Sequence, residues 1–490
     1  MKVSLIFTPN VLNPNFSELS FRDDSIGFIP PLSLLSVASI LEKEGVRVQI
    51  VDMDAEKLSY RDTLDRLAGF SPDLLGFTLS TYSFHPILKW IKKFKEDTSL
   101  PIIVGGAHAA LYPVETLSHP EIDYLIVGEA EIPLPQFIRA FADNRKLDAI
   151  KSVGYRENGR VIVDRTRQFV PDIDSIPYPA RHLIRNELYT NILSRRKNFT
   201  AMLSTRGCPY RCTFCDQKTP VYRTRSASSF VQEIKYNYEH FNIREFDIYD
   251  STFTANRLRV IQVCELIQAE GLDVSWTIRS RVDSVNEEML GALKAAGCHT
   301  VMYGVESSNP EILKRMKKNI APDKVRHILR YTSELGINTL GFFMFGYPGE
   351  TRQTIEDTIR FSLELPLDYV QYTILLPFPD TEIYEYYMQN GLGDFWARYT
   401  LDPTAEQIIE LIGTDVRRAE VSEYVSRAYR QFYFRPRIIW KRAWGLRSAR
   451  ELKRLSKGAY GILKNSLLRR KAESSPQSHP PMVCESGARS

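Results

Sequence analysis

The sequence lacks any long uninterrupted run of apolar residues. A helix that crosses a membrane needs about 18 of them in succession, whereas the richest stretch here, Leu340–Gly346, is short and contains glycine. The N-terminus also lacks the apolar segment and small-residue cleavage site of a secretory signal peptide. Met1–Phe7 is typical of a buried strand instead. These absences predict a cytoplasmic protein.

Cysteine is scarce as well. Six cysteines among 490 residues are too few for a disulfide scaffold. Hydrophobic residues at 43% and charged residues at 25% are average for a globular chain and exclude the collagen-like and mostly disordered classes. The cysteines are also unevenly placed, because Cys208, Cys212 and Cys215 lie close together while the other three are isolated.

The first 145 or so residues alternate between strand-like and helix-like patterns. Five short apolar runs are separated by amphipathic stretches, which predicts a doubly wound, Rossmann-like parallel sheet in 1–145. Ligands of such sheets bind at the carboxyl ends of the strands. Those ends carry polar loops here, among them Leu79–Tyr82, Gly105–His108 and Gly128–Glu131.

A second series of strands and helices follows a short interruption. The interruption, 146–198, contains a hairpin signal at Asn158-Gly159 and a linker punctuated by prolines. Six βα units in 199–400 predict a partial (β/α)6 barrel of the TIM type, with its site at the carboxyl ends of the strands. We expect a mainly helical region in 401–472 and a disordered tail, rich in Ser and Pro, in 473–490.

The three clustered cysteines have the spacing C-x3-C-x2-C and follow a predicted strand that ends at Ser204. A structural zinc site normally has four ligands, and neither a His nor a fourth Cys is near in sequence. A disulfide would leave one thiol over, and cytosolic reduction disfavours it. Three thiolates on a [4Fe–4S] cluster leave one iron open for a ligand. The barrel context favours the cluster over zinc or a purely structural role.

Cys208, Cys212, Phe214 and Cys215, at the start of six βα units, resemble the radical S-adenosylmethionine (SAM) superfamily. The resemblance implies that the cysteines hold a [4Fe–4S] cluster whose open iron binds SAM. It also implies that an external electron donor, such as flavodoxin or ferredoxin, drives cleavage of SAM to a 5′-deoxyadenosyl radical. The aromatic ring of Phe214 would pack near the adenine.

Further positions match the family's SAM site at the ends of successive predicted strands. They are Asp250, Arg279, Glu306 and Ser307 in a Gly-x-Glu-Ser motif, and Gly346. The resemblance implies that Asp250 binds the SAM ammonium and Arg279 its carboxylate. Each match has a plain alternative, namely a surface charge or an ordinary turn. Because all of them occur in chain order, we favour the SAM site.

Residues 1–145 followed by such a barrel resemble the cobalamin-binding (B12-binding) subgroup. The matching positions are Ser80, Thr81, Gly105, Gly106, Gly128 and Glu129. Adjacent glycines let the backbone approach a flat macrocycle or its nucleotide tail. The D-x-H-x-x-G loop of better-known cobalamin proteins has no counterpart, so we expect no histidine on cobalt and interpret His108 as a hydrogen-bonding or surface residue. The alternative is a degenerate Rossmann-like domain that binds no ligand.

The combined resemblance implies an α/β cobalamin-dependent radical SAM enzyme with three cofactors: the cluster, SAM and cobalamin. We expect a methyltransferase acting on an unactivated carbon of a small-molecule or lipid-like intermediate, through methylcobalamin and the 5′-deoxyadenosyl radical. Cyclisation, rearrangement or carbon–carbon bond formation without methyl transfer is one alternative, and a non-catalytic sensor is another. The sequence names no catalytic residue, although Tyr347, Tyr372 and 377–381 are expected to line the substrate's entrance.

Positive charge is concentrated near the C-terminus. Residues 435–471 hold thirteen Lys and Arg against one acid. Because the total is only +5 and 472–490 carries −1, this local +12 leaves residues 1–434 with −6. Basic charge interleaved with Trp is typical of an interfacial helix near anionic lipid, so our hypothesis for this segment is peripheral membrane contact. A solvated helical face is an equal alternative, and nucleic-acid binding is not expected.

Overall fold

A computed structural model describes residues 1–9, 27–217, 221–402, 404 and 408–444. The chain divides into two compact units, residues 1–422 and 423–490. Both predicted α/β regions belong to the first unit. The expected boundaries near residues 145 and 198 therefore lie inside one unit and stay predictions.

The first sheet has seven strands in the order β2-β1-β3-β4-β5-β6-β7. They are β1 (Lys2–Phe7), β2 (Arg47–Asp52), β3 (Leu74–Thr78), β4 (Ile102–Gly105), β5 (Tyr124–Ile126), β6 (Val153–Glu157) and β7 (Arg160–Val163). The first five pair in parallel, which confirms the predicted Rossmann-like arrangement.

Helices cover both faces of this sheet. They are α1 (Leu32–Lys43), α2 (Tyr60–Phe70), α3 (Phe84–Thr98), α4 (Ala107–Leu111), α5 (Pro113–Leu117) and α6 (Pro133–Ala142). Successive strand residues point to opposite faces: Leu5 packs in the core with α1 and α6, and Ile6 packs in the core with α2 to α5. Burying each such side chain contributes about 1.5–3 kcal/mol, and both faces need a helical cover.

The predicted hairpin at Asn158-Gly159 is confirmed as the turn between β6 and β7. Both turn residues have positive φ, 48° and 78°, as a two-residue hairpin turn requires. The hairpin is not a separate element, however, because β6 pairs antiparallel with β5. It therefore extends the first sheet rather than belonging to a free linker.

The second sheet has six parallel strands in the order β15-β14-β13-β12-β11-β8, the predicted partial barrel. They are β8 (Phe199–Met202), β11 (Glu245–Ile248), β12 (Ser275–Arg281), β13 (Cys298–Glu306), β14 (Asn338–Phe345) and β15 (Tyr369–Ile374). Between β8 and β11 lies a two-stranded antiparallel ribbon of β9 (Thr205–Arg206) and β10 (Arg223–Thr224).

Helices alternate with the barrel strands and continue after the last one. They are α7 (Ala227–Phe241), α8 (Arg257–Ala269), α9 (Glu287–Ala295), α10 (Pro310–Arg315), α11 (Pro322–Glu334), α12 (Arg352–Glu364), α13 (Glu382–Tyr387) and α14 (Phe395–Leu401). Several of them are capped at the N-terminus by a side chain: Asn256, Asn286 and Thr351 each accept a hydrogen bond from a backbone N–H of the first turn. Such capping contributes about 1 kcal/mol per helix.

The last helices are α15 (Arg418–Tyr433) and α16 (Pro436–Trp444). Most of the basic segment, 445–471, and the expected tail, 473–490, lie outside the described residues. Within the part of the chain that the structure describes, no helix combines the length and the apolar character that a membrane span requires.

Candidate active site

The three clustered cysteines lie on a loop that leaves β9 and returns through β10. None of them is in a disulfide; Cys212 is buried, and Cys208 and Cys215 are half-buried. Burial raises the pKa of the Cys212 thiol and raises that of Cys215 to about 12. Bare thiolates are therefore disfavoured here, and a bound cation is needed to hold the deprotonated form.

The tip of this cysteine loop is held to the barrel by Thr213. Its N–H donates to the Met316 carbonyl (3.2 Å), its carbonyl accepts from the N–H of Ile383 (3.0 Å), and its hydroxyl lies 2.7 Å from the hydroxyl of Tyr347. Tyr347 is only 5% exposed and supports the loop from below. The prediction that Tyr347 lines the substrate's entrance is therefore wrong.

Charged side chains surround Cys212. A guanidinium N–H of Arg281, at the end of β12, donates to its Sγ (3.3 Å), and Arg281 also forms an ion pair with Asp283 (2.7 Å). Lys318 and Glu306 also lie near enough for their charges to act on the pKa of the Cys212 thiol. No motif in the sequence marks Arg281 or Lys318, although Arg281 follows Arg279 by two positions on the same strand face.

Among the described residues, no three Cys, His, Asp or Glu side chains converge on one metal-ion position. Thiolates that share one zinc lie about 3.8 Å apart, because each Zn–S bond is about 2.3 Å in a tetrahedral site. The thiolates of a [4Fe–4S] cluster each bind a different iron and need no common point. Three free cysteines on one loop fit the second requirement.

The structure places Asp250 behind the cysteine loop. Its carboxylate is 1% exposed and accepts hydrogen bonds from the N–H groups of Ser204 (2.6 Å) and Thr205 (3.0 Å), and from the Ser204 hydroxyl. Burial raises the pKa of Asp250, against these donors. The side chain thus fixes the backbone between β8 and the first cysteine. Its predicted contact with the SAM ammonium stays a prediction.

Arg279 lies inside the barrel, where it binds a neighbouring strand. Its guanidinium donates to the Asp247 carboxylate (2.7 Å) and the Ile248 carbonyl (3.0 Å), and it stacks over the Tyr249 ring at 3.9 Å. The hydroxyl of Thr277 donates to the same Asp247 (2.8 Å). Arg279 therefore belongs to a polar layer of the barrel interior, while Arg281 is the arginine that contacts the cysteine loop.

Glu306 ends β13 in an unusual conformation. Its φ is +69°, and the pairing with β14 shifts by one residue between Gly304 and Glu306. The carboxylate accepts from the Lys318 ammonium at 2.6 Å, and the two side chains are 11% and 5% exposed. A Cβ on Gly304 would lie 2.5 Å from that ammonium, so a larger residue there would displace the ends of the paired side chains.

The remaining predicted SAM positions have protein contacts of their own. Ser307 is 1% exposed, with its hydroxyl 3.3 Å from that of Thr358. Gly346 has a φ of +89° and donates its N–H to the buried Glu350 (2.5 Å). Phe214 is half-buried and packs against the large core of the first unit. Each role in SAM binding stays a prediction.

The expectation for Tyr372 is also corrected. It faces the helices rather than the barrel interior, because its ring is 1% exposed and stacks on Phe345, and its hydroxyl lies 2.6 Å from that of Ser362. In the same loop region, the exposed Asp380 forms an ion pair with Arg167 (3.4 Å).

A cavity of about 360 Å³ opens at the carboxyl ends of the first sheet's strands. Its walls include the predicted positions Gly105, Gly106, Gly128 and Glu129, apolar residues of β3, β4 and α1, and Leu203 and Arg206 from the barrel. Gly106 has a φ of +100°, and a Cβ there would lie 2.6 Å from the Leu79 carbonyl oxygen. The cavity is thus shared by both predicted domains.

Three predicted cobalamin positions are bonded to other residues or buried in the structure. Ser80 hydrogen-bonds Ser83, and Thr81 is 5% exposed; neither lines the cavity. Glu129 lines it but also pairs with Arg223 (2.5 Å). Although burial opposes ionisation, Arg223 and Arg206 hold the pKa of Glu129 below its usual value.

His108 is completely buried under α14. Its Nε2 lies 3.1 Å from the hydroxyl of Thr400, and His119 Nε2 donates to the Thr400 carbonyl (2.8 Å). Burial lowers the pKa of His108 to about 3, so the ring is neutral. The interpretation of His108 as a hydrogen-bonding residue is confirmed, and the bond attaches α14 to the first sheet's helices.

Comparison with known proteins places both regions of the chain. Residues 202–362 match the radical SAM superfamily, and residues 24–138 match the B12 binding domain. An uncharacterized methyltransferase of Pyrococcus horikoshii is 33% identical over 450 residues, which cover 90% of this chain and 95% of that protein. The anaerobic magnesium-protoporphyrin IX monomethyl ester cyclase of Cereibacter sphaeroides is 25% identical, over 87% of this chain and 70% of its own.

A solved structure has a similar architecture. The radical SAM methyltransferase TsrM from Kitasatospora setae, with cobalamin and a [4Fe–4S] cluster bound, matches with a TM-score of 0.64 and 20% identity, over 80% of this chain and 75% of its own. At this identity the likeness shows the fold, and it confirms the predicted sequence of a Rossmann-like domain and a partial barrel.

Proposed function

Because the chain belongs to the radical SAM enzymes that carry a B12-binding domain, we propose that it is a cobalamin-dependent methyltransferase. Its substrate is a small-molecule or lipid-like biosynthetic intermediate, which it methylates at an unactivated carbon. The cofactors are a [4Fe–4S] cluster, SAM and cobalamin. The observation that carries the proposal is the shared cavity, in which the glycine loops of the first sheet face Leu203 and Arg206, directly before the cysteine loop.

Cys208, Cys212 and Cys215 are the ligands of the cluster in this proposal. Thr213 holds the loop to α13 and to the segment after α10, and Asp250 holds the backbone before Cys208. The Arg281 guanidinium compensates negative charge at Cys212 Sγ. A thiolate that accepts such a charge-assisted hydrogen bond is stabilised in the deprotonated form that iron binding requires.

The Glu306–Lys318 pair offers a carboxylate and an ammonium beside Cys212. SAM carries an ammonium and a carboxylate of its own, so this pair supplies the complementary charges. In the structure Arg279 and Asp250 are bonded to protein groups, as Glu306 and Lys318 are to each other. Asp250, Arg279, Glu306 and Ser307 all stay proposed contacts of SAM. Gly346 and Phe214 stay the proposed contacts with the adenosine.

We assign the cavity of about 360 Å³ to the nucleotide tail of cobalamin. Gly76, Phe77, Ile103 and Ile126 give the cavity an apolar part, which suits the aromatic base of that tail. Gly106, which also lines the cavity, has a positive φ and no room for a Cβ beside Leu79. When bound, the cofactors supply the hydrogen-abstracting radical and the methyl group. The protein's own residues hold the two sites against each other and exclude water between them.

Cyclisation without methyl transfer is the second candidate function, because the cyclase relative is similar over 87% of this chain. Anaerobic incubation of the reconstituted protein with deuteromethyl-SAM and a cell extract separates the candidates. A methyltransferase gives 5′-deoxyadenosine and a metabolite that gains the label. A cyclase gives 5′-deoxyadenosine without a labelled metabolite, and a sensor gives neither. Cys212→Ala is the matched control and should yield no 5′-deoxyadenosine.

Two partners belong to the proposal. Reduction of the cluster needs an external one-electron donor of the flavodoxin or ferredoxin kind. Peripheral membrane contact through 435–471 is tested by flotation with anionic liposomes, comparing the intact chain with one that ends near Arg430. Equal flotation of the two would remove the membrane contact from the proposal.

A further inference from the structure

The neck of the cysteine loop, where Thr205–Arg206 pairs with Arg223–Thr224, places two positive charges side by side. The loop leaves through β9 and returns through β10, and in this antiparallel ribbon Arg206 lies directly opposite Arg223. Side chains at opposed positions share one face of the ribbon, where like charges repel each other. The ribbon is only two residues long on each strand, so it has little hydrogen bonding of its own to resist that repulsion.

Two carboxylates from the end of β5 compensate these charges. Glu129 binds Arg223 through both oxygens, at 2.5 and 3.0 Å, and its Oε1 lies 3.5 Å from Arg206. Glu131 accepts from the other nitrogen of Arg206 at 2.5 Å. Exposure of the four side chains runs from 6% for Arg223 to 26% for Arg206. Removing one member of such a largely buried group leaves its partner's charge uncompensated.

Three of these four residues form part of the cavity wall. Glu129, Glu131 and Arg206 line it together with Gly105 and Gly128. Glu129, Glu131 and Arg206 therefore face the cobalamin-type cavity, and Arg223 is joined to them through its ion pair with Glu129 across the neck of the cysteine loop. Arg206 is separated from Cys208 by a single glycine, which leaves little chain to absorb a displacement of the neck.

We propose that Glu129, Glu131, Arg206 and Arg223 form a clamp through which corrinoid binding in the cavity and cluster binding on the cysteine loop favour each other. The inference rests on the proposed function. A corrinoid in the cavity restricts the two carboxylates, and a cluster fixes the loop and thereby the two guanidiniums. Each ligand orders a part of the clamp that the other requires, and such a coupling is reciprocal.

The coupling is measured on the full-length chain under anaerobic conditions, with hydroxocobalamin as the probe. Its dissociation constant is determined for the iron-free protein and for the protein carrying the reconstituted cluster. We expect hydroxocobalamin to bind about five-fold or more tightly to the cluster-bound form. In E129Q this ratio should fall close to one, because the neutral amide no longer holds the two arginines together. A purely structural defect would raise both dissociation constants by the same factor and leave their ratio unchanged.

Glu42→Gln is the matched control. Glu42 on α1 pairs with His182 at 2.9 Å, and the two side chains are 32% and 52% exposed. Neither residue lines the cavity, so E42Q should keep the wild-type ratio. The shorter but charged E129D should keep part of it. If circular dichroism shows that E129Q does not fold, E131Q decides instead: a reduced ratio supports the clamp, and an unchanged ratio overturns it.

Two results would overturn the inference: a ratio of one in the wild-type protein, or the wild-type ratio in a folded E129Q. Absence of hydroxocobalamin binding from both forms of the wild-type protein is a different outcome. It would contradict the cobalamin part of the proposed function and the clamp with it, whereas binding with a ratio of one removes the clamp alone.

Discussion

Replacing Lys318 by methionine should destabilise the barrel strongly, because it leaves the Glu306 carboxylate buried without a partner. The two groups are 2.6 Å apart, and their side chains are 5% and 11% exposed. Breaking a buried ion pair by removing one partner costs about 3–5 kcal/mol. Glu306→Gln should cost a similar amount, since it isolates the ammonium. The double variant removes both charges, and its loss should be far smaller than the sum of the two single losses.

The measurement is urea unfolding of the full-length chain without cofactors, followed by circular dichroism, for the two single variants and the double. Lys317→Met is the control. The neighbouring Lys317 pairs with Glu382 at 2.7 Å, but its side chain is 54% exposed, and exposed pairs contribute about 0–1 kcal/mol. Additive losses in the double variant, or a loss in K317M as large as in K318M, would refute the reasoning.

Three further outcomes follow from single residues. Burial raises the pKa of Glu350 from 4.5 to about 7, so the folded chain binds this proton more tightly than the unfolded chain. As the pH rises from 4.5 to 7, the free energy of unfolding should therefore fall by about 3 kcal/mol. E350Q should remove this pH dependence, which urea unfolding at several pH values measures. Gly106→Ala introduces a Cβ where φ is +100°. It should lower the free energy of unfolding by at least about 1 kcal/mol and weaken hydroxocobalamin binding. At Gly105 no atom lies within 4 Å of the added Cβ, so the control G105A should melt like the wild type. Asp250→Asn halves the acceptor capacity behind the cysteine loop, and after reconstitution and desalting D250N should retain less iron than the wild type.

The order of strands and helices could be predicted because each signal is local. Short apolar runs indicate the strands of the first sheet, and Asn158-Gly159 indicates the hairpin turn that the structure contains. The cysteine spacing was likewise sufficient to locate the loop between β9 and β10. Its position required no knowledge of the residues that hold it.

The contacts of the site could not be predicted in the same way, because they join distant parts of the chain. Arg279 and Arg281 share a face of β12, and only the folded structure shows that the first binds Asp247 and the second Cys212. The shift of pairing before Glu306 changes which side chains of β13 face the interior. Its partner Lys318 lies beyond α10, at no spacing that the sequence makes recognisable.

The cysteine loop is held at both ends by residues remote from it in sequence. Its tip is fixed through Thr213 to Met316 and Ile383, and its neck is fixed to Glu129 and Glu131 of the first sheet's domain. In a two-residue ribbon the repulsion between two opposed arginines favours separation of the strands. The position of the cluster ligands is therefore decided by tertiary contacts from both regions, and a substitution in the first sheet's loops should be felt at the cysteines although no cysteine precedes residue 208.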